Sequence, residues 1–421
     1  MADETFLTDD FLRQLVNVGE VDILIGLPTH NNAKTIGSIV QTIQGGILRW
    51  FPRERAVIIN ADGGSHDGTP ELITGVSIDD VRRDANLHAL RTLHSISTRY
   101  GNSPIETVAL RTILAAAELL QAKACVVMSP ECSIESDSIS KLLRPIRGDG
   151  FDFVTPIYRR HKFEGLLITN LIYPMTRALY GLRIREPYTR DFGFSGNFAS
   201  DFLAQQSWDG GSNESGIELR LTLAAIAGHR RICQTFLGDR EHIEHRGADL
   251  VPALRQTVGT LFSAMDADFK LWSATNGSQS VTTEGPDHEV LMEPLRINRK
   301  RLREMFASGV AELAGVFQQI LSPPTLAELQ RIASLNEAEF HYPADLWVRT
   351  VYEFAASYRK SVISRDHIIQ SLAPLFRGRA LTFLVENRNA AAEEIESNIE
   401  SLCIEFERQK PFLVQMWKAR E

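Results

Sequence analysis

An α/β fold, with a mixed but mostly parallel sheet flanked by helices and an α-helical C-terminal region, is what this sequence predicts. Three observations carry that expectation. Short apolar runs of strand length occur at residues 22–27, 55–60 and 124–128, separated by segments with helical spacing. Each run is apolar at successive positions, as in strands covered on both faces. Beyond about residue 285 such runs stop, and nearly all of the chain has helical periodicity.

The elements follow in order. Asp22–Leu27 (DILIGL) reads as the first strand, and Pro28 ends it. Ile36, Ile39, Val40 and Ile43 then form one helical stripe. Arg55–Asn60 (RAVIIN) is a second buried strand. A Gly/Ser/Asp loop follows it, and then a helix with Thr69 as N-cap and Pro70 in its first turn. Ser103-Pro104-Ile105-Glu106 has capping-box spacing and opens the next helix. Ala124–Met128 (ACVVM) is the strand after it. Strands alternating with helices imply a parallel sheet with covering helices.

From Phe151 to Arg246 the pattern is mixed, with strands at Phe153–Pro156 and Arg231–Leu237 and helices near Leu166–Leu182 and Ile217–Gly228. Asn276–Pro286 is polar, turn-rich and aperiodic, which reads as a linker and puts a domain boundary between 284 and 285. Helices are expected at Arg299–Phe317, Thr325–Asn336, Pro343–Tyr358 and Ala391–Phe406. The stripe Trp347, Val351, Phe354 and Tyr358 is read as core.

Composition narrows the function classes. The 421 residues carry 45 basic and 53 acidic side chains, a net charge of −8, with no long run of like charge. That is no footprint for nucleic acid. Cys125, Cys132, Cys233 and Cys403 are scattered, without zinc spacing or a disulfide framework, and read as buried or free thiols. The acidic start MADETFLTDDFLRQL is unlike a signal peptide, and the stretch Gly165–Leu182 is too polar to span a membrane. A cytoplasmic protein is the expectation. No G-x-G-x-x-G opens a helix after a strand, and no Walker lysine loop is present.

Ligands of parallel sheets bind at the carboxyl ends of the strands. Four polar segments fall there or close in sequence: Pro28-Thr29-His30-Asn31-Asn32; Asn60 to Thr69; Ser129-Pro130-Glu131-Cys132; and Glu241-His242-Ile243-Glu244-His245-Arg246. Asp62 stands where a carboxylate accepts from a ribose hydroxyl, and Asp67 is read as organising its own loop. Glu131 is the carboxylate at the third strand's mouth, a hard-cation ligand in type. Taken singly, these segments are equally explained by helix caps, tight turns and solvated side chains.

Their order is more telling. Asp62-Gly63-Gly64-Ser65-His66-Asp67-Gly68-Thr69 resembles the D-D-G-S-x-D-x-T loop of GT-A glycosyltransferases of the family 2 type. Gly101-Asn102-Ser103 with Val108-Ala109-Leu110-Arg111 resembles their G-K-G loop and T-A-L-R helix. Ser129-Pro130-Glu131 stands at the D-x-D position, Gly216-Ile217-Glu218 at the acceptor-side turn, and His245-Arg246 at the metal-binding histidine. Over roughly residues 20–270 the set is similar to the mannosylglycerate and glucosyl-3-phosphoglycerate synthase families.

The resemblance implies transfer of a hexose, with retention, from a UDP- or GDP-linked nucleotide diphosphate sugar to a small, polar, glycerate-like hydroxyl acceptor. It implies Mn²⁺ or Mg²⁺ on Glu131 and His245. Donor contacts would come from Pro28, Thr29, Asn31, Asn32, Asp62, Gly63 and Asn102, and acceptor contacts from Gly196, Asn197 and Glu218. Glu131 and Glu218 would be catalytic. Apart from the resemblance, the C-terminal helices read as a homodimer surface, an acceptor-site wall or plain core.

The chain departs from the family at four places. The first D-x-D carboxylate is Ser129, and Asn102 replaces a lysine. Gly165-Leu166-Leu167-Ile168 lacks the Arg and Thr of a phosphate-gripping turn, and Asn197 replaces a carboxylate. A second reading therefore stands beside the first: a nucleotide- or carbohydrate-binding protein with weak turnover or none.

Overall fold

Ile23, Leu24, Ile25 and Leu27 are wholly buried, so the first strand has no solvent face. That is the position of a central strand in a covered parallel sheet. The computed structural model describes residues 7–74, 92–99, 106–131, 134–205, 216–239, 250–286, 290–292 and 298–419. In chain order its strands are β1 (Ile23–Thr29), β2 (Arg55–Asp62), β3 (Thr92–Arg99), β4 (Ala124–Val127), β5 (Phe153–His161), β6 (Leu182–Arg183), β7 (Phe192–Ser195), β8 (Ile232–Asp239), β9 (Gln279–Ser280), β10 (Thr282–Glu284) and β11 (Val290–Leu291).

The main sheet runs β10-β8-β5-β7-β4-β1-β2-β3. Among these described strands β7 alone is reversed, pairing antiparallel with β4 and β5; the other pairings are parallel. The expected fold class, a mixed and mostly parallel sheet flanked by helices with a helical C-terminal region, is the one observed. Because of the reversal, the carboxyl ends of β1, β2 and β4 share an edge with the amino end of β7: Val127 pairs with Phe192, and Ala124 with Ser195.

Contacts divide the chain into two compact units. One comprises Met1–Arg159, Thr189–Ile243 and Val281–His288; the other comprises Arg160–Tyr188, Glu244–Ser280 and Glu289–Glu421. In the first, the helix Ile36–Trp50 buries Ile36, Ile39, Val40, Ile43 and Ile47 on the sheet beside Ile139, Leu142 and Leu143 of the helix Ser136–Asp149. Each such side chain contributes about 1.5–3 kcal/mol of burial free energy. The helix Glu106–Leu119 comes so close to β1 that a Cβ on Gly26 would lie 2.5 Å from Ile113 Cγ2. The capping-box residues Ser103–Ile105 lie outside the described residues.

In the second unit the helix Ala344–Lys360 buries Trp347, Val351, Phe354 and Tyr358 as expected. The helix Arg365–Glu386 is long and apolar enough to cross a membrane by length and composition, but 83% of its apolar window is buried inside the protein. Arg177, itself buried, donates to Glu400 at 2.5 and 2.7 Å and to Glu407 at 2.8 Å. Lys410 Nζ donates to the carbonyls of Ala178, Leu179 and Thr275 at 2.7–3.2 Å. These bonds join residues 173–180 and 275 to the last helix, Ala392–Lys418.

That packing corrects the boundary expected at 284/285. The units do not meet at one cut, because residues 160–188 and 244–280 belong with the C-terminal helices. Asn276–Pro286 is not a bare linker either. It holds β9 and β10, and Thr282–Glu284 extend the main sheet beside β8. An edge strand needs a backbone partner more than an apolar face, so polarity hid it.

Burial lowers the Lys410 ammonium from 10.5 to about 8, with Glu407 opposing the shift. Between those two values the unfolded chain holds a proton that the folded chain has lost, so stability rises with pH across that window. Below about 8 both states are protonated and the destabilisation is full. The melting temperature of the natural protein relative to Lys410→Met should therefore climb as pH is raised through that window. A difference that stays flat would contradict this.

Candidate active site

The shared edge of the sheet opens into a cleft of about 170 Å³, with Thr29, Asn32, Ser129, Glu131, Arg190 and Glu218 among its walls. Pro28 and His30 contribute from the end of β1, and Leu110, Val127 and Phe192 give it an apolar side. All of these residues belong to the first unit.

The loops that shape it are tied together by short polar side chains. Thr29 shares its hydroxyl proton between Asn60 Oδ1 at 2.7 Å and Asp62 Oδ1 at 3.1 Å. Asp62 also accepts from the backbone of Gly64 and Ser65 at 3.0 and 2.9 Å and from Ser65 Oγ at 2.5 Å. Gly63 N donates to Thr29 O at 2.8 Å. Asn31, at φ 57°, takes the left-handed conformation that asparagine tolerates. Its backbone donates to Ser65 Oγ, and its Oδ1 accepts from His66 N.

Asp67 accepts from Thr69 Oγ1 and from the backbone of Ala33 and Thr69. These bonds, the Thr69 hydroxyl first, hold its carboxyl below the usual range. Asp67 organises its loop as expected. Asp62 does the same, which corrects its reading as a ribose contact: the carboxylate is 0% exposed and turned into its own loop.

His30 Nδ1 lies 3.2 Å from Gly63 O, and Nε2 lies 3.1 Å from Asn31 Nδ2. Both contacts are satisfied when Nδ1 carries the proton and Nε2 accepts, the tautomer the network assigns. The Asn32 backbone carbonyl accepts from Thr35 N and Ile36 N at the start of the helix Ile36–Trp50. Thr35 Oγ1 donates to Pro130 O at 2.6 Å, which locks the first loop to the turn after β4.

In that turn Ser129 is buried and Glu131 reaches outward. Asp191, 1% exposed, accepts from Ser129 N at 2.8 Å and from the Tyr158 hydroxyl. Arg190 Nη1 donates to Glu131 Oε2 at 2.6 Å; the two side chains are 37% and 54% exposed. Glu218, 3% exposed, stands in the first turn of the helix Ile217–Ala227 and lines the same cleft. Arg190 and Asp191 were not singled out from the sequence. The available signal was an adjacent pair of opposite charges directly before the apolar run of β7.

The structure thus brings Pro28, Thr29, Asn32, Glu131 and Glu218 together, with Asn31 and Gly63 in the bonded loops beside them. Asn102 and His245 lie outside the described residues. Gly196 and Asn197 are a correction. They follow the carboxyl end of β7, and because β7 is reversed they sit at the opposite edge, lining a separate hollow with Gln121, Lys123 and Ser200. Gly196 has a packing role there, since a Cβ would lie 1.8 Å from the Ala122 carbonyl oxygen. Backbone cannot yield as a side chain does, so Gly196→Ala should cost about 3 kcal/mol or more. An unchanged denaturation midpoint would contradict that.

No protein-family model matches this chain. No curated protein matches it either. Among solved structures, it is similar to glucosyl-3-phosphoglycerate synthase from Mycobacterium tuberculosis in complex with phosphoglyceric acid. The identity is 20%, with 62% of this chain and 84% of that chain covered, at a TM-score of 0.41. The same enzyme with Mn²⁺, UDP and glucosyl-3-phosphoglycerate matches at 20% identity over 62% and 84% of the chains, TM-score 0.40. With Mg²⁺ and UDP it matches at 19% over 62% and 83%, TM-score 0.41. At such distances this chain's own residues decide its chemistry.

Proposed function

We propose that this chain is a GT-A glycosyltransferase that moves a hexose from a nucleotide diphosphate sugar to a small polar acceptor hydroxyl. The observation that carries the reading is the cleft itself. It gathers the loops after β1 and β4, the buried Glu218 and the Glu131–Arg190 pair at the carboxyl edge of a mostly parallel sheet. Those loops occur in the order of the family 2 pattern, and binding at that edge is the general habit of such sheets.

Thr29, Asn32 and His30 face the donor's nucleotide, and the apolar wall of Leu110, Val127 and Phe192 excludes water from the sugar. Glu218 accepts a hydrogen bond from the acceptor hydroxyl and holds its oxygen toward the anomeric carbon. The new bond joins that oxygen to the anomeric carbon, and the carbon–oxygen bond to the diphosphate breaks. The hydroxyl proton goes to the departing phosphate oxygen on the same face, so configuration is retained.

The resemblance also places Mn²⁺ or Mg²⁺ on Glu131 and His245. The described donor set does not fit a divalent cation. No group of three or more His, Cys, Asp or Glu side chains gathers among the described residues. Six oxygen ligands are the usual demand of Mg²⁺, and carboxylates compensate its charge.

The test is direct. The purified full chain is incubated with UDP-glucose, GDP-glucose and GDP-mannose and with glycerate or 3-phosphoglycerate, while nucleotide release and product configuration are read by NMR. Release with an α-linked product is expected. Binding without release would favour the binding-protein reading, and neither would end the proposal.

A further inference from the structure

We infer that Arg190 is the residue that carries the leaving diphosphate's negative charge, in the place a divalent cation would otherwise fill. The inference rests on the nucleotide-sugar reading above and goes beyond it by naming a cation-independent phosphate subsite.

Arg190 is the one lysine or arginine among the described residues that line the cleft. Its backbone is held on both sides by buried neighbours. Thr189 donates its hydroxyl to Asp191 O at 3.0 Å, and Asp191 is bonded to Ser129 N and Tyr158. Phe192 then enters β7 opposite Val127. The guanidinium is therefore delivered to the turn after β4 by a rigid strand end.

The Glu131 bond fixes its direction while leaving the pair more than one-third exposed and open to a solute. An ion pair this exposed is weakly held. A diphosphate bears more charge than a single carboxylate and matches the planar fork of the guanidinium. Glu131 is the positioning residue: it parks Arg190 at the mouth before the donor arrives and releases it to the phosphates. As the anomeric carbon–oxygen bond breaks, charge grows on the leaving oxygen, and the nearby guanidinium stabilises it.

Calorimetry with inorganic pyrophosphate in excess EDTA tests this without a nucleotide or a sugar. The natural chain should bind, Arg190→Gln should lose affinity about tenfold to a hundredfold, and Arg190→Lys should recover part of it. Glu131→Gln should bind pyrophosphate at least as tightly as the natural chain. Glu131 would then differ from a metal ligand, whose loss would weaken binding. Binding that appears only with Mn²⁺, or that is equal in Arg190→Gln, overturns the inference. A chain that binds pyrophosphate through Arg190 but releases nucleotide from no donor keeps the subsite and loses the transferase. Turnover that EDTA abolishes does the reverse.

Discussion

Glu218→Gln should lower the rate of sugar transfer at saturating substrates about a hundredfold while leaving donor affinity within threefold. The side chain is buried in the first turn of its helix and faces the cleft, so glutamine fills the same volume and keeps the packing. What changes, on the proposed reading, is the pairing with the acceptor. The carboxylate accepts from a hydroxyl whichever oxygen is presented, whereas an amide offers one oxygen and one donor group.

The acceptor oxygen then sits off its line to the anomeric carbon, and displacements of about 1 Å can cost about two orders of magnitude in rate. Slow donor hydrolysis should continue, because water does not depend on that alignment. A melting temperature close to the parent's would confirm that the fold is intact. Transfer within threefold of the parent would remove Glu218 from the reaction.

The sheet was legible because its central strands are buried on both faces. The runs at 22–27, 55–60 and 124–128 became β1, β2 and β4 with no polar interruption. The helix Arg365–Glu386 falls in the region read as helical but was given no bounds of its own: it is buried on nearly every side, so no amphipathic stripe marks it.

The site was legible in its loops but not in its assignments. Asp62 and Asp67 carry the same group, and only the gathered donors show that both organise the loop, Asp62 from within and Asp67 from its surface. Gly196 lies just after β7, yet four residues of reversed strand carry it to the far edge of the sheet. Strand direction is a property of pairing, which no local pattern near 192–197 announces. Arg190 and Asp191 had no periodic context either. One became the cleft's guanidinium and the other the buried anchor behind it.

That anchor gives the largest expected stability effect. Asp191→Ala should destabilise the protein by about 3–6 kcal/mol, since two bonds to a buried carboxylate are worth about 1.5–3 kcal/mol each. Their partners are Ser129 N, at 2.8 Å, and the Tyr158 hydroxyl, both on buried residues. Asp191→Asn should cost less, because its carbonyl oxygen still accepts one of the two bonds.

The damage should not stop at stability. Ser129 leads into Glu131 and Asp191 follows Arg190, so loss of the anchor frees both halves of the ion pair. At a temperature where Asp191→Asn remains folded, its pyrophosphate affinity should fall although neither Glu131 nor Arg190 has been touched. Full affinity in a destabilised Asp191→Asn would mean that the guanidinium needs no support from the strand end.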